Sequence, residues 1–146
     1  MTLGIDEVHW GCTGSSTIVT HAQVSMAMKW VAQNAWPTWA HHGDCIYGDV
    51  AWHHIFRVTR TVLIGVHPPV NPIKRAWCVG DKNYVEAEYL TRNRMIVDMI
   101  TPGGWLVAMP EGPEKDRSGT WYTIRYARRS KKPVLIFWPN GHVTVE

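Results

Sequence analysis

Residues 104–138, GWLVAMPEGPEKDRSGTWYTIRYARRSKKPVLIFW, decide the fold. The stretch begins and ends with apolar runs, Gly104–Met109 and Pro133–Trp138, in which polar and apolar residues do not alternate. Such runs are typical of parallel strands that are buried on both faces of a sheet. Between them, Thr120–Arg129 is predicted as a helix, and its closing cations complement the negative end of the helix dipole. The stretch therefore predicts a strand, a helix and a second strand of a parallel sheet.

The rest of the chain repeats this alternation of strands and helices. Further strands are predicted at Val8–Gly11, Thr38–His42 and Thr61–Val66, further helices at Thr20–Ala35, Asp49–Arg60 and Ala87–Met99, and an irregular stretch at Asn71–Tyr84. Thr20 and Gln23 have the spacing of a capping box. Asn140-Gly141 is a tight-turn signal, so His142–Val145 is expected to fold back as an antiparallel edge strand. The predicted fold class is α/β, a parallel sheet flanked by helices with a C-terminal antiparallel hairpin strand.

Length and composition define the class of protein. The chain of 146 residues, with 45% apolar and 18% charged residues, has the balance of a single globular domain and not of a disordered chain. No apolar run is long enough for a membrane span, and MTLGIDEVHW at the start lacks the features of a signal peptide, so we expect a cytoplasmic protein without a membrane partner. Cys12, Cys45 and Cys78 include no close pair, which favours a reducing compartment over a disulfide framework or a cysteine-based zinc site. The net charge of +3 suits an anionic small ligand.

The loops that follow the predicted strands carry the candidate ligand-binding residues, because ligands of such folds bind beyond the carboxyl ends of the strands. The first loop, GCTGSST at residues 11–17, combines glycines with hydroxyls. Backbone amides and hydroxyls near a helix start can hold a phosphate group. The candidates in this loop are Thr13, Gly14, Ser15 and Ser16. The alternative is an ordinary turn between a strand and a helix.

The second loop, HHGDCIYGD at residues 41–49, carries a carboxylate between two glycines. Asp44 is expected to accept hydrogen bonds from ribose hydroxyls, and Gly43 allows a close turn. The histidine pairs 41/42 and 53/54 raise the question of a metal. Adjacent residues point in different directions both in a strand and in a helix, so neither pair is expected to chelate and no metal site is predicted.

The third loop is a second candidate site for an anion. Ser118-Gly119-Thr120 opens a helix beside Arg117, and a helix start with a neighbouring cation favours negative charge. A plain helix cap is the alternative, since it would need only the serine. Trp121 or Trp77 is expected to stack on a base.

The cationic residues of the helices have two interpretations. Arg92 is a candidate for holding an anionic group, and a solvated helix charge is the alternative. The cations from Arg125 to Lys132 match no nucleic-acid-binding motif, so no nucleic-acid partner is expected.

A series of short motifs in fixed order links the chain to a known group. The motifs are GCTGS, TxAQ, HHGDCxxGDxxxH, HPP, YLxRNRxIVD, RSGTWxTxRYARR and KPVxxxWPNG. From about Val8 to Gly141 they resemble small stand-alone members of the SLOG superfamily, which also contains the Lonely-guy phosphoribohydrolases and nucleotide-sensing domains of bacterial defence systems. The resemblance implies a Rossmann-like fold over a single domain, residues 1–146, with a pocket for nucleotides or nucleotide-derived signals. It also implies a homodimer or homotetramer.

The chain departs from the enzymes of that superfamily at the residue that carries their chemistry. Those enzymes have PGGxGTxxE, whose glutamate acts with an upstream arginine; here Ser118–Thr123 occupies the matching place, with Thr123 where the glutamate would be. A hydroxyl is a poor general base and supplies no negative charge beside an oxocarbenium-like transition state, so no hydrolysis is expected. Arg92 matches the arginine, which alone would bind phosphate without cleavage. Glu111 or Asp116 would replace the glutamate only if their loop folded back.

A second departure removes a cation from the first loop. Relatives often carry arginine directly after GCTGS, where this chain has Ser16. The ligand is therefore expected to carry fewer phosphates, or to be held by Arg75, Arg117 or a partner subunit.

These expectations combine into one function and two alternatives. The resemblance and the missing glutamate favour non-catalytic binding, and sequestration, of a nucleotide-derived signal such as a cyclic ADP-ribose isomer or a cyclic oligonucleotide. The role would be that of a viral protein acting against bacterial defence in the host cytoplasm, without a cofactor of its own. The alternatives are a nucleotide hydrolase with a relocated carboxylate and an oligomeric interaction protein with a vestigial pocket.

Overall fold

A computed structural model of the chain describes residues 7–34, 37–59 and 61–146. The strands are β1 (His9–Gly14), β2 (Trp39–His42), β3 (Leu63–Val66), β4 (Lys82–Asn83), β5 (Leu106–Met109), β6 (Val134–Phe137) and β7 (Val143–Val145). The helices are α1 (His21–Gln33), α2 (Gly48–Thr59), α3 (Tyr89–Asp98) and α4 (Gly119–Arg129). The predicted helix ends at Ala35 and Arg60 lie outside the described residues. Within the described ranges, no helix has the length and apolar character needed to span a bilayer.

The strands form one sheet in the order β4-β3-β2-β1-β5-β6-β7. Neighbouring strands are parallel except at the last pair, where Phe137 of β6 lies opposite Val143 of β7 in an antiparallel register. The predicted α/β fold and its C-terminal hairpin strand are confirmed. The hairpin loop is residues 139–141, since the amide of Trp138 donates to the carbonyl of His142 and the amide of Gly141 donates to the carbonyl of Trp138, each over 2.8 Å. Gly141 ends this loop with a positive φ, as is typical of three-residue hairpin loops.

The apolar strand runs supply two cores, one on each face of the sheet. In β5, Val107 and Met109 pack into the core shared with α1 and α2. Leu106 and Ala108 of the same strand pack into the core shared with α3 and α4. β6 alternates in the same way. Unbroken apolar sequence is therefore required in these strands because both of their faces are covered.

The largest differences from the sequence prediction lie at β1 and β4. β1 continues to Gly14, so Thr13 and Gly14 belong to the strand and not to the loop after it, and β4 lies inside the stretch predicted to be irregular. α3 begins at Tyr89 and not at Ala87. Both residues of β4 are exposed and pair only with β3, so the strand carries no apolar pattern that would reveal it.

The first helix is fixed to the sheet by a buried glutamine. The predicted capping box is present, since the amide of Gln23 donates to the Thr20 hydroxyl over 3.0 Å and the amide of Thr20 donates to Gln23 Oε1 over 3.1 Å. The same Gln23 side chain donates through Nε2 to the carbonyls of Pro110 (2.8 Å) and Phe137 (2.7 Å). One amide group thus joins the start of α1 to the carboxyl ends of β5 and β6.

Replacing Gln23 with alanine is expected to lower the free energy of unfolding by about 3 kcal/mol, because half of the cap is lost and two buried carbonyls lose their donor. Urea unfolding measures the change. Gln33→Ala, at an exposed position of the same helix, is the matched control and is expected to change stability by less than about 0.5 kcal/mol. Equal effects of the two substitutions would contradict the assignment.

Candidate functional site

The candidate site lies where the strand order of the sheet reverses. β1 has β2 on one side and β5 on the other, so the chain leaves β1 and β5 toward opposite helix layers. A crevice beyond the carboxyl ends of the strands is expected at this point. A cavity of about 170 Å³ is present there. We call it the anion cavity, and it is lined by Ser15, Ser16, Thr17, Lys74, Tyr89, Glu111, Lys115, Arg117, Ser118, Gly119 and Thr120.

The loop after β1 supplies one wall of the anion cavity. The Ser15 hydroxyl accepts hydrogen bonds from the amides of Thr17 and Ile18, each over 3.1 Å, and so holds the turn itself. Ser16 is different, because its amide makes no hydrogen bond to any residue that the structure describes, and its hydroxyl accepts from Lys74 Nζ over 3.3 Å. Of the serines predicted here, Ser16 has groups available to a ligand.

The start of α4 supplies the opposite wall. Ser118 is the N-cap, and its hydroxyl accepts from the amide of Trp121 over 3.2 Å. The amides of Gly119 and Thr120, at the first two helical positions, have no partner within the described ranges. Unpaired amides at the positive end of the helix dipole form a natural place for an anion.

The charges around the anion cavity are mainly positive. Lys74, Lys115 and Arg117 line it, against the single carboxylate of Glu111. Lys115 Nζ donates to Glu111 Oε1, and Thr17 donates to Glu111 Oε2 over 2.7 Å. These two hydrogen bonds, that of Lys115 first, lower the pKa of Glu111 below its ordinary value, so the carboxylate is ionised at neutral pH. Because Glu111 bonds to Thr17 and lines the cavity, the loop after β5 folds back toward the loop after β1.

Asp44, the residue expected to accept from ribose, is fully buried and does not line the anion cavity. Its Oδ2 accepts from Arg75 Nε over 2.8 Å, and its Oδ1 accepts from the amide of Cys78 over 2.8 Å. Both carboxylate oxygens are thus engaged in fixing the loop at residues 75–78. The same ion pair engages Arg75, which was one of the cations expected to hold the ligand.

Arg92 also lies behind the anion cavity and not in its lining. The side chain is 2% exposed. Its Nη1 donates to the carbonyl of Gly43 and, over 3.2 Å, to the carbonyl of His67, while Nε donates to Asn93 over 2.7 Å. The guanidinium carbon lies 4.8 Å from the centre of the Tyr89 ring. Arg92 therefore joins the loops after β2 and β3 and supports a residue that does line the cavity.

The glycines of the first two loops are explained by close packing. A Cβ on Gly43 would lie 2.6 Å from the Arg92 guanidinium. A Cβ on Gly14 would lie 2.8 Å from Cα of Gly48, and Thr13 precedes it as a buried strand residue. At these positions the missing side chain allows one part of the chain to approach another.

Two residues of α4 lie on its buried face. Trp121 is 1% exposed and belongs to the core between α4 and the sheet. Thr123 is 1% exposed and donates its hydroxyl to the carbonyl of Gly119 over 2.8 Å. Neither side chain lines the anion cavity.

His42 and His53, one from each of the two adjacent histidine pairs, form a hydrogen bond. His42 Nε2 lies 2.9 Å from His53 Nδ1, and with Cys78 they offer ligand atoms within 4.8 Å of one another. The amide of Asp44 donates to His42 Nδ1 over 2.9 Å, so His42 carries its proton on Nε2 and donates it to His53. A metal would need the nitrogen that carries this proton, so we assign the contact as a structural hydrogen bond.

Four residues of the lining were not named as candidates from the sequence: Thr17, Lys74, Tyr89 and Lys115. Glu111 was named only as a carboxylate that could replace the missing glutamate. Tyr89 is the first residue of the motif YLxRNRxIVD and could have been found there, next to Arg92. Lys74 comes from the irregular stretch, where no periodicity indicates which side chain returns to the sheet.

Comparison with known proteins supports the fold. No family model matches the chain, and no curated protein is similar to it in sequence. A solved structure shares its fold. It is that of the molybdenum cofactor binding protein from the phototrophic bacterium Rippkaea orientalis, with a TM-score of 0.63 over 92% of this chain and 78% of that chain. At 17% identity this similarity establishes the α/β architecture alone.

Proposed function

We propose that this chain binds a phosphate-bearing, nucleotide-derived small molecule in the anion cavity and does not convert it. The observation that carries the proposal is the arrangement at the start of α4, where the free amides of Gly119 and Thr120 share a cavity with Lys74, Lys115 and Arg117. Amides at a helix start supply hydrogen-bond donors in fixed positions, and the cationic side chains neutralise the charge of the anion that these amides bind.

The predicted site residues divide into two groups in this proposal. Ser16, Arg117, Ser118, Gly119 and Thr120 contact the anion. Thr13, Gly14, Ser15, Gly43, Asp44, Arg92 and Trp121 shape the loops and the helix that hold those contacts. The second group explains why residues that match the family motifs need not touch a ligand.

Several features of the resemblance extend the proposal. The chain acts as one nucleotide-binding domain of the SLOG type, and it sequesters a signal such as a cyclic ADP-ribose isomer or a cyclic oligonucleotide in the cytoplasm, against a bacterial defence system. The fold similarity to a protein described as binding molybdenum cofactor is consistent with small-molecule binding. The resemblance also implies assembly as a homodimer or homotetramer.

The proposal that the ligand is not converted rests on Thr123. Its hydroxyl is buried and bonded to the helix backbone, so it neither reaches the cavity nor supplies negative charge.

Hydrolysis remains a second candidate function because of Glu111. Its ionised carboxylate lies in the same cavity as Gly119 and Thr120, as a relocated catalytic group would. Lys115 opposes this role, since its ion pair with Glu111 neutralises the charge that an oxocarbenium-like transition state needs.

The two functions are separated by the fate of the ligand. The protein is incubated with nucleoside monophosphates, ADP-ribose and cyclic nucleotides, then denatured by heat, and the supernatant is analysed by mass spectrometry. Recovery of intact ligand in the starting amount supports binding. Release of free base with ribose phosphate supports hydrolysis, and Glu111→Gln should then abolish it.

Arg117→Gln is expected to weaken the binding of inorganic phosphate by about tenfold, because one charge-assisted hydrogen bond is lost. Isothermal titration calorimetry at fixed ionic strength measures the change. Arg129→Gln is the charge-matched control, since Arg129 is exposed at the far end of α4 and lines no part of the cavity. If both variants lost the same affinity, binding would reflect net charge and not this site.

A further inference from the structure

A second cavity lies beside the anion cavity and differs from it in character. It has a volume of about 280 Å³ and is lined by Cys45, Pro69, Asn71, Ile73, Lys74 and Tyr89. Lys74 and Tyr89 belong to both cavities, so the two are neighbours separated by these side chains. One compartment is rich in hydroxyls, amides and cations, whereas the other is largely apolar. A ligand that occupied both would have an anionic end and an uncharged end.

Tyr89 is held at the boundary from two sides. The Arg92 guanidinium lies 4.8 Å from the centre of its ring, which is a cation–π contact. On the other side the ring reaches the start of α4, because a Cβ on Gly119 would lie only 2.5 Å from the Tyr89 hydroxyl oxygen. Gly119 is thus needed for Tyr89 to take this position. The side chain nevertheless remains 42% exposed, so part of its surface is available.

The remaining walls of the second cavity suit a flat, uncharged ring. Pro69 and Ile73 supply apolar surface. Asn71 Oδ1 accepts from the amide of Ile73 over 3.0 Å, while its Nδ2 has no partner in the described ranges and can donate to a ring nitrogen or carbonyl. Burial raises the pKa of Cys45 to about 11, so its thiol adds no charge.

We propose that this second cavity, which we call the ring compartment, takes the heterocycle of the ligand against Tyr89 while its phosphate occupies the anion cavity. The inference rests on the proposed function and narrows the ligand class to phosphate esters of a compound with a planar heterocycle. It also replaces the stacking residues expected from the sequence. Trp121 lies in the core, and Trp77 lies under the Arg75 guanidinium at 3.9 Å and lines neither cavity.

The test compares ligands with and without the ring. Binding of inorganic phosphate, ribose 5-phosphate and a panel of purine and pyrimidine nucleoside monophosphates is measured by calorimetry. At least one nucleotide is expected to bind about tenfold or more tightly than ribose 5-phosphate, the size of one base–aromatic stacking contact. If no base adds affinity, the ring compartment is refuted even though phosphate binds.

Substitutions at Tyr89 locate the gain in affinity. Tyr89→Ala is expected to bring the affinity for the nucleotide down to the affinity for ribose 5-phosphate, both measured with the same variant, because the aromatic face is lost. Tyr89→Phe should retain the gain, because the ring face is kept. Tyr47→Ala, at a tyrosine that is 49% exposed and lines neither cavity, should change nothing. A gain that persists in Tyr89→Ala overturns the inference.

Failure of the proposed function gives a different pattern. If neither inorganic phosphate, ribose 5-phosphate nor any nucleotide binds, the anion cavity itself is not a site and both proposals fall. If phosphate binds and Arg117→Gln weakens it, the proposed function stands whatever the result at Tyr89.

Discussion

Acidification from about pH 7 to about pH 4.5 is expected to lower the free energy of unfolding by about 5 kcal/mol, which is comparable with the whole stability of many domains. The effect comes from His41, His42 and His67, which are buried and neutral in the folded chain. We expect an acid-unfolding transition in this range, and urea unfolding at a series of pH values measures it.

Two of these histidines belong to a chain of hydrogen-bonded rings. His9 Nδ1 lies 2.8 Å from His41 Nε2, and His41 Nδ1 lies 2.9 Å from His67 Nε2. His67 Nδ1 is buried without a partner among the described residues, whereas His9 Nε2 lies 3.4 Å from a Glu7 carboxylate oxygen. An unpaired lone pair is less unfavourable in the interior than an unpaired N–H, so His67 Nδ1 carries no proton. Each ring then donates to the next, from His67 to His41, from His41 to His9, and from His9 to Glu7. A proton added to this chain would meet no buried acceptor.

Burial is the main cause of the low pKa values. The pKa of His41 is lowered to about 3, first by burial and then by His67, His9 and Lys82. Burial lowers the pKa of His67 to about 4, with Arg92 and Lys82 adding to the effect. The pKa of His42 is also well below its ordinary value, through burial and then through His53.

The direction of the pH effect follows from proton uptake. Histidines in the unfolded chain bind protons below about pH 6.5, while the buried ones in the folded chain stay neutral. Each buried histidine therefore lowers the free energy of unfolding by roughly 2 kcal/mol over this range. Asp49 acts in the opposite direction, because burial raises its pKa to about 6 and the folded chain gains its proton first. One carboxyl offsets only part of the loss from three histidines.

Variants assign the effect to the buried rings. His67→Gln is expected to flatten the pH dependence, and His54→Gln, at an exposed histidine on α2, is expected to leave it unchanged. NMR titration of the histidine rings is a second measurement that needs no variant. Protonation of His41 or His67 near pH 6.5 in the folded protein would refute the argument.

Replacing Arg92 with methionine is expected to destabilise the chain by about 4 kcal/mol. The substitution keeps much of the apolar stem but removes the donors to the carbonyls of Gly43 and His67 and to the side chain of Asn93. Buried acceptors without a donor lose their full hydration, which is why the effect exceeds that of an exposed arginine. Urea unfolding at neutral pH measures the change.

Arg94→Met is the control for Arg92. Arg94 lies two residues away on α3, is only partly buried and donates to the hydroxyls of Tyr122 and Thr91. Its replacement is expected to cost less than about 1 kcal/mol. An Arg92→Met protein of unchanged stability that no longer bound phosphate would show that Arg92 is a ligand-binding residue, as its sequence context suggests.

Local sequence signals predicted most of the fold. Unbroken apolar runs revealed β5 and β6, Thr20 and Gln23 revealed the start of α1, and Asn140-Gly141 revealed the hairpin. Each of these signals depends on residues close together in sequence. β4 has no such signal, because its two exposed residues form a strand only through the pairing with β3.

The candidate site was predictable to the extent that it is made of contiguous motifs. The loop at Ser15–Ser16 and the helix start at Ser118–Thr120 were found because glycines and hydroxyls mark them. Asp44 and Arg92 were recognised as important, but their burial against Arg75 and against backbone carbonyls is a property of the folded chain. Which polar groups are left free for a ligand depends on which ones the protein uses itself.

The two neighbouring cavities are built largely from separate segments of chain, and this has an evolutionary consequence. Residues from the segments 15–17 and 111–120 line one cavity, whereas Cys45 and residues from the segment 69–73 line the other, with Lys74 and Tyr89 between them. Descendants of this chain can therefore vary residues 69–73 and leave the hydrogen-bonded turn at Ser15 and the helix cap at Ser118 intact. Chemical preference at one end of the crevice can diverge while the other end is inherited unchanged.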